Sequence, residues 1–226
     1  METVTKIKHI AFDVSGTLQD DRPVSYAALA QIANENGYRI PRSNMLFTSE
    51  WVANQPADSA PKLLEKAGMI GYDHNELQEM FANKVIDVCN EKPSQLYEGI
   101  KPLLQKLIIS NIRISAISAH PHQAVISDFR NNGILNLFEH IQGDLHGWEG
   151  KVDCVRKIMN NKGYKNSEVI IVGDGAGDIK AANALNINSI GVTYGGYPGS
   201  KHLAEEKPTS ICNSIRMLEK RIMRYI

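Results

Sequence analysis

Short apolar, β-branched runs punctuate the chain at Ile7 to Val14, Ile112 to Ile117, around His140 to Gln142, Val169 to Val172 and Ser189 to Val192. Continuous runs of this length, bounded by turn residues, predict strands buried on both faces. Between them, apolar positions recur with helical spacing at Pro121 to Asn132 before Gly133, at Val152 to Asn161 before Gly163, and at Ile179 to Leu185. Strands alternating with helices predict an α/β fold, a Rossmann-like parallel sheet covered by helices on both faces. In such sheets ligands collect at the carboxyl ends of the strands.

One stretch breaks the alternation. From Asp20 to about Gln95 the pattern is helical, at Val24 to Asn36, Ser43 to Asn54, Ser59 to Ala67 and Glu76 to Asn90, and no strand is evident. Leu77, Phe81, Val85 and Val88 mark one packed face of a helix. The expected organisation is a core of residues 1–19 and 96–226 with an all-helical insertion at 20–95. Asp20-Asp21-Arg22-Pro23 and Glu91-Lys92-Pro93-Ser94 are the natural hinges.

Composition narrows the function classes. The 226 residues are 42% hydrophobic, enough for a globular core, and 25 Lys plus Arg balance 25 Asp plus Glu. That balance gives no reason to expect a nucleic acid or a membrane surface as partner, while a small anionic ligand needs only a local positive site. No apolar run approaches the length of a membrane span, and Met1 to Lys8 lacks the hydrophobic stretch of a signal peptide, so a cytoplasmic location is expected. Cys89, Cys154 and Cys212 are too few and too scattered for a disulfide framework or a zinc site, and are expected as small core residues.

The candidate chemistry lies at strand ends. Asp13 closes the first apolar run, just before a break at Ser15-Gly16-Thr17. A carboxylate there can act as a covalent nucleophile, dividing one hard displacement into two easier ones. Ser118 ends the second run and Lys151 precedes a helical pattern. Gly173-Asp174-Gly175-Ala176-Gly177-Asp178 follows Val169 to Val172, and acidic oxygens separated by glycines suit Mg2+.

The order of these four signals, together with Tyr97-Glu98-Gly99-Ile100 and Gly191-Val192-Thr193-Tyr194-Gly195, resembles the haloacid dehalogenase superfamily over nearly the whole chain, most closely its phosphoglycolate phosphatase and phosphomutase branch. The resemblance implies a phosphatase acting on a small phosphorylated substrate, with the helical insertion as a cap. It makes Asp13 the nucleophile that forms an aspartyl phosphate and Ser118 a hydroxyl donor to the phosphate. Lys151 becomes the cation that offsets the charge, although Val152 stands where the branch usually has Pro. For Mg2+ it implies Asp13, the backbone carbonyl of Ser15 and Asp174 as ligands, with Asp178 orienting them. Gly16, Thr17 and Ala119 fall beside the phosphate.

The departure is Ser15. Most family phosphatases carry a second Asp there, which protonates the leaving group and then deprotonates the attacking water; a hydroxyl cannot do this near neutral pH. A well-placed general acid or base contributes about 100- to 10,000-fold. Three outcomes remain open: a slow phosphatase selective for good leaving groups, a phosphatase in which another group substitutes, or a protein that binds phosphate ligands without turnover. Candidate substitutes are His120, His122, Asp20, Asp21 and Glu50. Phosphonate-hydrolysing relatives also lack the second Asp but use a cap Lys, and here no Lys follows Trp51 until Lys62. Trp51, Asn54, Gln55 and Lys62 are the cap's candidates for substrate contact, Trp148 could meet the cap, and Lys220, Arg221 and Arg224 read as a solvated helix face.

Overall fold

The computed structural model describes residues 6–38, 59–145, 147–196 and 202–226. Six parallel strands form one sheet: β1 (His9–Phe12), β4 (Arg113–Ile117), β5 (His140–Gln142), β6 (Val169–Gly173), β7 (Asn188–Val192) and β8 (Ser210–Cys212), in the order β5-β4-β1-β6-β7-β8. The α/β architecture expected from the alternation is the one observed. β6 is apolar throughout because successive side chains enter different cores. Ile170 and Val172 point into one core with Ile10, Phe12 and Ile114, while Val169 and Ile171 point into the other with Ala11 and Ile117. Helices α4 (Ile100–Ile109), α5 (His122–Asn131) and α8 (Ile215–Ile222) contribute to the first core; α6 (Gly147–Lys162) and α7 (Ala176–Leu185) contribute to the second. All three cysteines are buried and unpaired.

The break in the alternation holds three described helices: α1 (Arg22–Glu35), α2 (Ser59–Lys66) and α3 (His74–Glu91). They close over a small core of their own, including Leu29, Ile32, Leu63, Leu64, Met69 and Leu77. Val24, Ala28, Val85, Val88 and Cys89 pack against Ala124 of α5, which joins this bundle to the sheet domain. The helix expected at Ser43 to Asn54 lies outside the described residues.

Two boundaries differ from the sequence reading. Gln19–Asp20 (β2) and Gln95–Leu96 (β3) pair antiparallel at the root of the helical segment; strands of two residues are too short to leave a periodic signature. Helix α6 starts at Gly147 rather than near Val152, because Gly147 and Gly150 mask a first turn that carries few apolar residues. Lys151 therefore sits in the second turn, with its stem already buried.

Asp128 of α5 fastens the root of the helical segment. Its carboxylate accepts from Gln19 Nε2 at 2.6 Å and from the Ser94 backbone N–H at 2.8 Å. One buried side chain thus holds both the outgoing and the returning chain.

At the far end of the sheet, His9 is fully buried, with Nε2 2.9 Å from Ser115 Oγ and Nδ1 without a hydrogen-bond partner among the described residues. Burial lowers its pKa from 6.5 to about 4. The unfolded chain therefore takes up this proton first, and the neutral ring's stabilising effect is lost as pH falls from 6.5 towards 4. Thermal melts across that interval are expected to show a decline in stability that is shallower in a His9→Gln protein; equal slopes would refute the assignment.

Candidate active site

β1 ends at Phe12 and delivers Asp13 into a turn in which Gly16 adopts φ 74°, a conformation that disfavours any side chain. The turn is clasped from above by the 193–196 segment: Tyr194 Oη donates to the Thr17 carbonyl at 2.7 Å, and a Cβ on Gly195 would lie 2.3 Å from the Gly16 carbonyl oxygen. Thr17 is buried and its hydroxyl donates to Asp13 Oδ2 at 3.2 Å.

β6 ends beside β1 in register, with Phe12 opposite Val172, which brings the acidic loop to Asp13. Helix α7 begins there, and Asp178 in its first turn accepts from the Gly175 N–H at 3.1 Å. Gly173 is required for that approach, since a Cβ there would fall 2.2 Å from the Asp178 carboxylate. Lys151 reaches across from α6, its ammonium 2.7 Å from Asp13 Oδ1 and 2.6 Å from Asp178 Oδ1.

Asp13, Asp174 and Asp178 offer carboxylate oxygens all within 4.8 Å of one another. Burial pushes the Asp13 carboxyl up to about 6, with the Lys151 ammonium pulling it down and Asp178 adding to the rise. Asp174 is held well above the usual carboxylate range by burial and then by repulsion from Asp13 and Asp178. Burial alone would lower the Lys151 pKa, but the carboxylates of Asp13 and Asp178 outweigh it and hold the ammonium above its ordinary value. Three buried carboxylates thus face one ammonium, and Asp174 makes no hydrogen bond or ion pair among the described residues. Oxygen-only donors carrying excess negative charge fit a small divalent cation such as Mg2+.

Ser118 follows directly on β4 and is buried, its hydroxyl accepting from the His120 N–H at 3.0 Å, while Ala119 between them is exposed. Ser15, partly buried, donates its hydroxyl to Asp21 Oδ2 at 2.8 Å. Of the other candidate substitutes, Asp20 is gripped by Arg22 at 2.6 and 2.7 Å. His122 uses Nδ1 to accept from the Gly143 N–H.

Glu50, Trp51, Asn54 and Gln55 lie outside the described residues. Lys62 is exposed on α2, and Trp148 is 36% exposed on α6 near Gly177. Lys220 and Arg224 are exposed, as expected of a solvated face, while Arg221 is half-buried.

A sequence profile of haloacid dehalogenase-like hydrolases matches residues 10–192. The chain belongs to that family. Within it, the chain is 28% identical over 217 residues to a phosphoglycolate phosphatase of Pseudomonas fluorescens, covering 92% of this chain and 77% of that protein. It is also 28% identical over 219 residues to the phosphoglycolate phosphatase of Yersinia pseudotuberculosis, covering 91% and 88%. The crystal structure of a predicted phosphoglycolate phosphatase from Haemophilus somnus has the same fold, with a TM-score of 0.77 at 21% identity over 98% of this chain and 99% of that one. These likenesses place this hydrolase in the phosphoglycolate phosphatase-like branch of the family. No helix among its described residues is long and apolar enough to cross a membrane.

Proposed function

We propose that this hydrolase is a Mg2+-dependent phosphatase for a small phosphorylated metabolite, with 2-phosphoglycolate the first substrate to try because curated relatives bear that name. The observation that carries the reading is the bridge from Lys151 to Asp13 and Asp178 at the ends of β1 and β6, beside the unpaired carboxylate of Asp174.

Asp13, kept ionised by Lys151, attacks phosphorus and becomes an aspartyl phosphate. Ser118, neighbouring backbone N–H groups and the Lys151 ammonium hold the phosphoryl oxygens, where charge spreads in a loose transition state. Asp13, Asp174, the Ser15 carbonyl and Asp178 would hold Mg2+, which supplies charge neutralisation when bound. The helical segment at 20–95 acts as the cap that excludes water and selects the organic part of the substrate, with Trp51 and Asn54 its proposed contacts.

Phosphate release from 2-phosphoglycolate, p-nitrophenyl phosphate and acetyl phosphate tests the reading. Turnover is expected with Mg2+, to vanish on chelation, and to need at least about tenfold more Mg2+ in Asp174→Asn. Tight binding of a phosphate mimic without multiple turnovers on any of the three would instead support a phosphate-binding protein.

A further inference from the structure

The site lacks a carboxylate at position 15, yet the space beside it is not given over to solvent. The Ser15 hydroxyl donates to Asp21 Oδ2 at 2.8 Å, and the same oxygen lies 3.4 Å from His120 Nδ1. Asp21 and His120 are both more than nine-tenths buried. They come from different parts of the fold, Asp21 from the chain entering α1 and His120 from the loop after β4. The His120 backbone N–H bonds the Ser118 hydroxyl, so the ring is anchored to the strand end expected to meet the phosphate. The other ring nitrogen, Nε2, is buried with no hydrogen-bond partner among the described residues.

A buried, unpartnered imidazole nitrogen is costly unless a ligand uses it. A carboxylate behind the opposite nitrogen is the arrangement that orients an imidazole for proton transfer. Asp20 and His122, the neighbouring alternatives, are already engaged by Arg22 and Gly143.

We propose that His120, oriented by Asp21 and Ser15, supplies the acid and base function that a second aspartate provides elsewhere in the family. The inference rests on the phosphatase reading above. In the first step Asp13 forms its bond to phosphorus as the ester P–O bond breaks, and the departing alkoxide takes the proton from imidazolium Nε2. In the second, water gives a proton to the now neutral Nε2 as its oxygen bonds to phosphorus, and the Asp13–phosphorus bond breaks. The products are alcohol and phosphate, with Asp13 and the imidazolium restored. His120 is the catalytic group; Asp21 and Ser15 are positioning residues.

Leaving-group dependence separates this role from a structural one, because a nitrophenolate departs without protonation and an alkoxide does not. With Mg2+ present, His120→Gln is expected to lower kcat on 2-phosphoglycolate by at least about 100-fold and aspartyl phosphate formation from p-nitrophenyl phosphate, read as a nitrophenol burst, by less than about fivefold. Asp21→Asn should show the same selectivity with a smaller loss, and added imidazole should restore part of the alkyl-ester rate in His120→Gly. Equal losses on the two substrates, or an unchanged alkyl-ester rate in a His120→Gln protein with wild-type melting behaviour, would overturn the proposal while leaving the phosphatase reading intact. A wild type that releases phosphate from no substrate would overturn both.

Discussion

The Asp13→Asn protein is expected to release phosphate at least about 10,000-fold more slowly than wild type, the scale of loss seen when a covalent nucleophile is removed. An amide oxygen does not attack phosphorus, but it keeps the shape of the side chain and can still accept from Lys151, which lies 2.7 Å away. The same substitution removes one of three mutually repelling carboxylates, so in chelator the variant should melt no lower than wild type. Steady-state phosphate release and a thermal melt on one preparation check both halves. A residual rate within about tenfold of wild type would remove Asp13 from the nucleophile's role.

Lys151→Met is expected to damage both activity and stability. It leaves Asp13, Asp174 and Asp178 buried together with no cation among them. Removing one partner of a buried ion pair costs about 3–5 kcal/mol, and for a chain of this size each kcal/mol moves Tm by about 2–4 °C. A fall of about 6–20 °C in chelator follows. Mg2+ should restore part of it, since a bound cation replaces the missing charge. Lower pH should also narrow the deficit, because carboxyl groups raised above their unfolded values take up protons first in the folded state, and stability rises as pH falls. A Tm that is unmoved in chelator would mean that the ammonium is not what balances this cluster.

Much of this was legible in the sequence because the signals are local. Val169 to Val172 read as a strand since both faces of the sheet demand apolar side chains, and Asp174 follows directly on that strand's end. Asp13, Ser118 and Lys151 could likewise be placed by their position after or before a periodic segment. What escaped was set by contacts between distant parts of the chain. The partnership of Ser15 with Asp21 depends on how the Gly16 turn folds back, and His120 reaches the same carboxylate only because β4 lies next to β1. Asp128 gave no sign of its role, since one carboxylate among Val125, Ser127 and Phe129 looks like a polar position on an ordinary amphipathic helix. The start of α6 was missed because two glycines outweighed a weak first turn.

The Asp128 anchor has an engineering consequence. Because it grips Gln19 on one side and Ser94 on the other, the sheet domain holds both junctions by polar bonds and meets the helices between them mainly through apolar packing on Ala124. The intervening segment is therefore a replaceable cassette: a donor sequence spliced in after Asp21 and before Ser94 inherits a ready-made socket and keeps the Asp21 carboxylate, provided that its own contact to Ala124 is apolar. New substrate ranges could then be sampled by exchange of whole segments without altering any strand that carries the chemistry.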